Sequence, residues 1–142
     1  MIVKPINREQ FKEAIRVGFD SDAKIYPMYC PHVKVETVDD IVNDISLRIE
    51  RGKGDATLKG LYEKGELIGY YVYEGKTLIS FALNVKYRTR KYLKEFWSKI
   101  RMDLKGGFQA FLWSANGRGI SWLVKNGMKI IAQDHLITHL IF

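Results

Sequence analysis

A single cysteine, Cys30, stands among 142 residues, so the chain forms no internal disulfide, and a lone thiol fits a reducing compartment. Long apolar runs are missing too. None approaches the roughly 20 residues that a membrane helix needs, so no membrane partner is expected. The opening MIVKPINREQFKE turns polar after six residues and lacks the apolar core of a secretion signal. These absences point to a cytoplasmic protein. Proline is scarce, with Pro5, Pro27 and Pro31 only, and there is no repeat, low-complexity tract or linker. Residues 1–142 are therefore expected to form one domain, a size that buries roughly two-thirds of its unfolded surface.

Acidic residues are the other shortage, 16 against 23 Lys and Arg, for a net charge of +7. The excess is concentrated. Between Lys86 and Lys105 stand eight basic residues (Lys86, Arg88, Arg90, Lys91, Lys94, Lys99, Arg101 and Lys105) against only Glu95 and Asp103. Such a window suits a polyanion: nucleotide phosphates, nucleic acid or an acidic protein face. It equally fits a solvated helix face without a partner.

Hydrophobic spacing changes along the chain. Ile2 to Ile6 reads as a strand, and Asn7 with Gln10 has the spacing of a capping box before a helix carrying Phe11, Ala14, Ile15 and Phe19. Ser21 to Val35, with two of the prolines, is expected to be an ordered loop. Thr37 and Asp40 open a second helix, striped by Val38, Ile41, Val42, Ile45 and Ile49. Thr57–Glu63, Glu66–Tyr73 and Thr77–Val85 read as strands joined by tight turns. Tyr92, Leu93, Phe96, Trp97, Ile100 and Leu104 return to helical spacing, with Thr89 as N-cap and Gly106-Gly107 as stop. A strand over Phe108–Trp113, a short helix over Ile120–Lys125, and strands over Met128–Gln133 and Leu136–Phe142 complete the order β-α-α-β-β-β-α-β-α-β-β. That order predicts an α/β (α+β) domain: a mixed, mostly antiparallel sheet of six to seven strands, helices on both faces, and a βαβ crossover between the fourth and fifth strands.

A local motif adds to the element order. After the fifth strand come Asn116, Gly119, Trp122, Lys125, Gly127 and Met128, in the run N-G-R-G-I-S-W-L-V-K-N-G-M. Asn caps the short helix, a small residue permits close backbone approach, and Gly supplies the left-handed helix end. Order and motif together resemble the GNAT (Gcn5-related N-acetyltransferase) family over nearly the whole chain. The resemblance implies transfer of an acetyl group from acetyl-CoA to an amine. It implies that pantetheine lies along Leu83, Asn84 and Val85, and that pyrophosphate sits at the next helix start, near Arg88, Arg90 and Lys91, with Asn116 close by. No metal is expected.

Two positions depart from the family pattern. Arg88-Thr89-Arg90-Lys91-Tyr92-Leu93 keeps the leading Arg but places Lys91 and Leu93 where small residues give phosphates access to backbone amides. Arg88, Arg90 and Lys91 could instead hold phosphates through their side chains. Leu123 stands where many members carry a Tyr that protonates the departing thiolate. Lys91–Trp97 and Phe111–Asn116 also resemble small GNAT-like proteins of tailed phages, some with internal-virion or head-assembly roles. That likeness implies a protein partner, in the bacterial host cytoplasm or the virion.

Glu66 is the best-placed candidate for a general base, near a strand end. His135 and His139, four apart, are too few for a metal site, and nothing marks Cys30, beside His32, as an activated nucleophile. Three readings stay open: an acetyltransferase, a non-enzymatic adaptor on the same scaffold, and a nucleic-acid binder, which carries no recognised motif. The apolar C-terminal strand, His135 to Phe142, is expected to offer an edge for a homodimer.

Overall fold

The computed structural model describes residues 1–29, 34–52 and 54–142. Cys30 and His32 lie outside the described residues. In chain order the elements are β1 (Ile2–Pro5), α1 (Arg8–Gly18), α2 (Tyr26–Tyr29), α3 (Val38–Glu50), β2 (Thr57–Glu63), β3 (Glu66–Glu74), β4 (Thr77–Leu83), a 3-10 turn (Val85–Tyr87), α4 (Arg90–Asp103), β5 (Gln109–Trp113), α5 (Gly117–Lys125), β6 (Lys129–Gln133) and β7 (Ile137–Ile141). The strands form one sheet in the order β1-β2-β3-β4-β5-β7-β6. Every neighbouring pair is antiparallel except β4 and β5, which run parallel and are joined by α4. This is the mixed sheet and crossover that the element order predicts.

Alternation along the strands splits the core in two. Tyr70, Val72 and Ala82 pack with Phe11, Ile15, Ile41 and Ile45 of α1 and α3 on one face. Tyr71, Leu78 and Leu83 pack with Phe96, Ile100 and Leu123 of α4 and α5 on the other. The helix starts follow the local chemistry. Asn7 and Gln10 exchange side-chain and backbone hydrogen bonds at 2.8 and 2.9 Å, as the capping-box spacing predicts. At α3 the Asp40 carboxylate accepts from the backbone N–H of Glu36 and Thr37, which holds this exposed carboxyl below its ordinary range.

The structure departs from the sequence expectations at five places. Ser21 to Val35 contains one helical turn, α2, whose Tyr26 is buried against Phe19. β4 stops at Leu83, because the Asn84 side chain donates to the Val17 carbonyl and accepts from the Lys86 amide, turning the chain out of the sheet. α5 starts three residues earlier than the hydrophobic spacing shows, since Asn116 caps it through the Gly119 amide. His135 precedes β7, so only His139 lies on that strand. Finally, β7 is paired on both sides, by β5 and β6, and offers no free edge. The outer strand is β6.

β3 and β4 approach closely at Gly69, where an added Cβ would stand 2.4 Å from the Ala82 carbonyl oxygen. Backbone atoms there cannot step aside. Gly69→Ala is expected to cost on the order of 2–3 kcal/mol and lower the melting temperature by roughly 5–10 °C. A thermal melt within a degree of the parent would contradict this close approach.

Candidate functional site

The parallel pair β4–β5 is short. Thr77 pairs with Gln109 and Leu78 with Ala110, and past these positions the two strands have no paired residues. A Gln109–Thr77 side-chain hydrogen bond of 3.0 Å closes this end. Beyond it the strands separate, and a cleft of about 400 Å³ opens between them. Two sets of residues line it. On the α4–α5 face are Phe81, Leu93, Phe96, Asn116, Gly119 and Trp122. On the α1–α3 face are Phe19, Tyr26, Arg48, Ser80, Phe111 and Trp113. Side chains from both faces of the sheet therefore line one opening.

Aromatic packing shapes the first half. Trp122 stacks on Phe96 at 5.3 Å and meets Phe81 at 5.4 Å and Trp97 at 5.7 Å. These rings pack together between α4, α5 and β4 along one wall of the opening. Gly119 is small for a local reason: a Cβ would lie 2.8 Å from the Asn116 Nδ2 and 2.9 Å from Leu112. The Asn116–Gly119 spacing noticed in the sequence thus reflects a cap folded over a helix start.

The far end of the cleft is held by Arg88. Its Nε donates to the Leu83 carbonyl at 2.7 Å, Nη2 to the Gly18 carbonyl at 2.9 Å, and the fork grips Asp22 at 2.7 and 3.3 Å. The Asp22 side chain is only 6% exposed. Arg88 therefore ties the end of β4 to the end of α1. Asn84 performs a similar tie through Val17, while Val85 is exposed in the 3-10 turn.

The remaining candidates separate into two groups. Arg90 and Lys91 are exposed at the start of α4, where the Thr89 side chain makes no cap. The N–H groups of Arg90, Lys91 and Tyr92 have no acceptor among the described residues. A 14-residue helix thus presents its positive end beside the cleft. Asn116 and Leu93 line the cleft. Glu66, by contrast, stands exposed at the start of β3 and does not line it.

The structure also brings in Tyr26, Arg48, Ser80 and Arg118, which the sequence reading did not single out. Tyr26 donates to Asp44 at 3.1 Å, and the Arg48 Nη2 donates to both Asp44 (2.9 Å) and the Tyr26 hydroxyl (3.2 Å). Ser80 shares a 2.9 Å hydrogen bond with Tyr70, whose phenol burial pushes well above its ordinary pKa, so it stays protonated. Arg118, exposed at the start of α5, lines the cleft mouth and enters no ion pair among the described residues. His139 stacks on Phe111 and hydrogen-bonds Gln109 at 2.9 Å. Among the described residues no three His, Cys, Asp or Glu side chains gather as a metal site.

Arg88→Met would strand the Asp22 carboxylate, and the expected loss is about 3 kcal/mol. Asp22→Asn in the same chain should return part of it. Urea denaturation of the two single variants and the double variant measures this, and additive effects would remove the pairing from the account.

No protein-family model matches the sequence, and no curated protein matches it significantly. Solved structures do match, over essentially the whole chain. An acetyltransferase from Thermus thermophilus superposes with a TM-score of 0.72 at 15% identity, covering 100% of this chain and 97% of its own. PaiA N-acetyltransferase from Thermoplasma acidophilum, in complex with coenzyme A, gives 0.67 at 16% identity, covering 99% and 96%. The GNAT domain of S. lividans PAT gives 0.69 at 14% identity, covering 99% and 88%. The parallel β4–β5 pair within an otherwise antiparallel seven-stranded sheet, with helices on both faces, is the GNAT fold.

Proposed function

We infer that this chain takes acetyl-CoA into the cleft between β4 and β5 and passes the acetyl group to an amine that enters from the opposite face of the sheet. The observation that carries this reading is the cleft itself, lined from both faces at the point where the parallel strands part. A thioester donor on one side and a nucleophile on the other then meet within one opening, which supplies proximity. The coenzyme A held by the Thermoplasma acidophilum protein of the same fold supports the choice of donor.

The start of α4 is the seat for the pyrophosphate in this reading. Three N–H groups without acceptors among the described residues and the helix dipole favour an anion there, and Arg90 and Lys91 add charge. Side chains on a helix lean toward its N-terminus. Leu93 lines the cleft, whereas Lys91 is exposed, so of these two large residues in the first turn of α4 only Leu93 narrows the seat from inside. The arm of the donor runs past Leu93, Phe96 and Trp122. Attack of the amine on the thioester carbonyl forms an N–C bond and breaks the C–S bond. Leu123, fully buried, donates no proton. The ammonium form of the acceptor first loses a proton to water, the free amine attacks, and of the two protons lost by nitrogen one is balanced by protonation of the departing thiolate from water.

The phage-type adaptor reading draws its support from the likeness of Lys91–Trp97 and Phe111–Asn116. Calorimetric titration with acetyl-CoA separates it from the transferase. The expected dissociation constant is well below a millimolar, and Lys91→Glu should weaken it about tenfold, or about 1.4 kcal/mol, by reversing charge at the helix start. Absence of heat at millimolar acetyl-CoA would sink the transferase and leave the adaptor.

A further inference from the structure

Where β4 and β5 part, β4 also slips its register against β3. Val72 pairs with Ser80 and Tyr73 with Leu78, so Ile79 is passed over. Leu78 is also the last β4 residue paired with β5. Ile79 thus has no strand partner on either side among the described residues, and it is 37% exposed. A bulge of this kind re-aims one side chain. Here Ile79 joins Ile45 and Ile49 of α3 and Phe111 of β5 around a groove of about 230 Å³. Phe111 is 46% exposed, with one ring face stacked on His139 at 4.1 Å. Ile45, Ile79, Ser80 and Phe111 line both groove and cleft, so the two adjoin on the face that the acceptor enters. The groove follows β4 from Ser80 back to Thr77, three residue steps or roughly 10 Å. The polar side chains along it already have partners: Ser80 with Tyr70, Thr77 with Gln109, and Arg48 with Asp44 and Tyr26. What Ile79 and Phe111 leave open to a ligand is apolar surface.

We propose that the acceptor is a primary amine with an unbranched apolar chain, its nitrogen at the parting of the strands and its chain in the groove against Ile79 and Phe111. Covering these side chains removes apolar area from water, and each methylene laid in the groove adds to the gain until the groove is filled. A second ammonium at the end of the chain would be stripped of water against apolar walls, so diamines of the same length are disfavoured. The proposal rests on the transferase reading for the fate of the amine. Its ammonium form loses one proton to water, the nitrogen bonds to the acetyl carbon, and the C–S bond breaks. The second proton on nitrogen leaves to water, and the departing thiolate takes one back.

Calorimetry with a graded series tests it without turnover. Butylamine, hexylamine, octylamine and 1,6-diaminohexane are titrated into the protein, with and without CoA. Affinity should rise about twofold or more per methylene, and so at least about tenfold from butylamine to octylamine. The diamine should bind at least about fivefold more weakly than hexylamine. Ile79→Asp should flatten the series and favour the diamine, a gain that an unfolded chain would not show. Phe111→Ala, at an exposed position, should reduce the octylamine advantage severalfold and provides a second variant if Ile79→Asp does not fold. A flat series in the parent, no binding of any amine, a diamine equal to hexylamine, or a rise with chain length that survives both substitutions would each overturn the proposal. A chain-length series without acetyl-CoA binding keeps the apolar amine site and removes the transferase. Acetyl-CoA binding with a flat series does the reverse.

Discussion

The aromatic wedge around Trp122 is the constraint on which the rest of this structure depends. A parallel strand pair gains a hydrogen bond at each step, and leaving it unzipped after two residue pairs forgoes those bonds. Phe81, Phe96 and Trp97 meet Trp122 within 5.7 Å between centroids and form one wall of the opening. Full burial of Phe96 and partial burial of Phe81, Trp97 and Trp122 offset a few strand hydrogen bonds, because a fully buried ring removes on the order of 150–250 Å² from water. The two ends of the opening are pinned separately, by the Thr77 and Leu78 pairs at one end and the Arg88–Asp22 tie at the other. A cleft held this way is a property of the packed core.

The same arrangement sorts the basic residues into two kinds. Arg88 and Arg101 are committed internally: Arg88 to Asp22 and two carbonyls, Arg101 over the Phe142 ring at 3.7 Å. Arg90 and Lys94 on α4, and Arg118 on α5, are exposed and enter no ion pair among the described residues. Within the Lys86–Lys105 window the charge of Arg88 is thus offset by Asp22, a carboxylate outside it. What remains lies beside the uncapped start of α4, where helix dipole and side-chain charge have the same sign. Like charges crowded together cost stability unless an anion offsets them, so this corner is where added salt should matter most.

The order of elements was legible in the sequence because strands and helices alternate in hydrophobic period, and the turns carry glycine where φ is positive, as at Gly65 and Gly75. The end of β4 was not legible, since Leu83, Asn84 and Val85 continue an apolar strand pattern. Only the contact between Asn84 and Val17, 67 residues away in sequence, shows why the strand stops. Arg88 poses the same difficulty. As a string it reads as one more cation in a phosphate loop, and its real partner is 66 residues upstream. Part of the cleft was visible through Asn116 and Gly119, whose short-range contact leaves a fixed spacing. The α1–α3 side was not, because Tyr26, Arg48, Ser80 and Phe111 come from four separate elements, and no local pattern joins them.

That division has a physical consequence for how the two halves of the cleft can vary. The α4–α5 half is tied into the larger core, with Phe96 and Leu123 essentially buried, so substitutions there change packing and cleft width together. The opposite half combines the buried Tyr26, tied to Arg48 and Asp44, with exposed side chains such as Phe111, which can be exchanged at little cost to the fold. Under the transferase reading the donor therefore meets the rigid half and the acceptor the adjustable one. A scaffold divided so can alter its acceptor while keeping its donor, which is a physical route by which one fold serves different amines. It also explains why the donor side left a spacing in the sequence and the acceptor side left none.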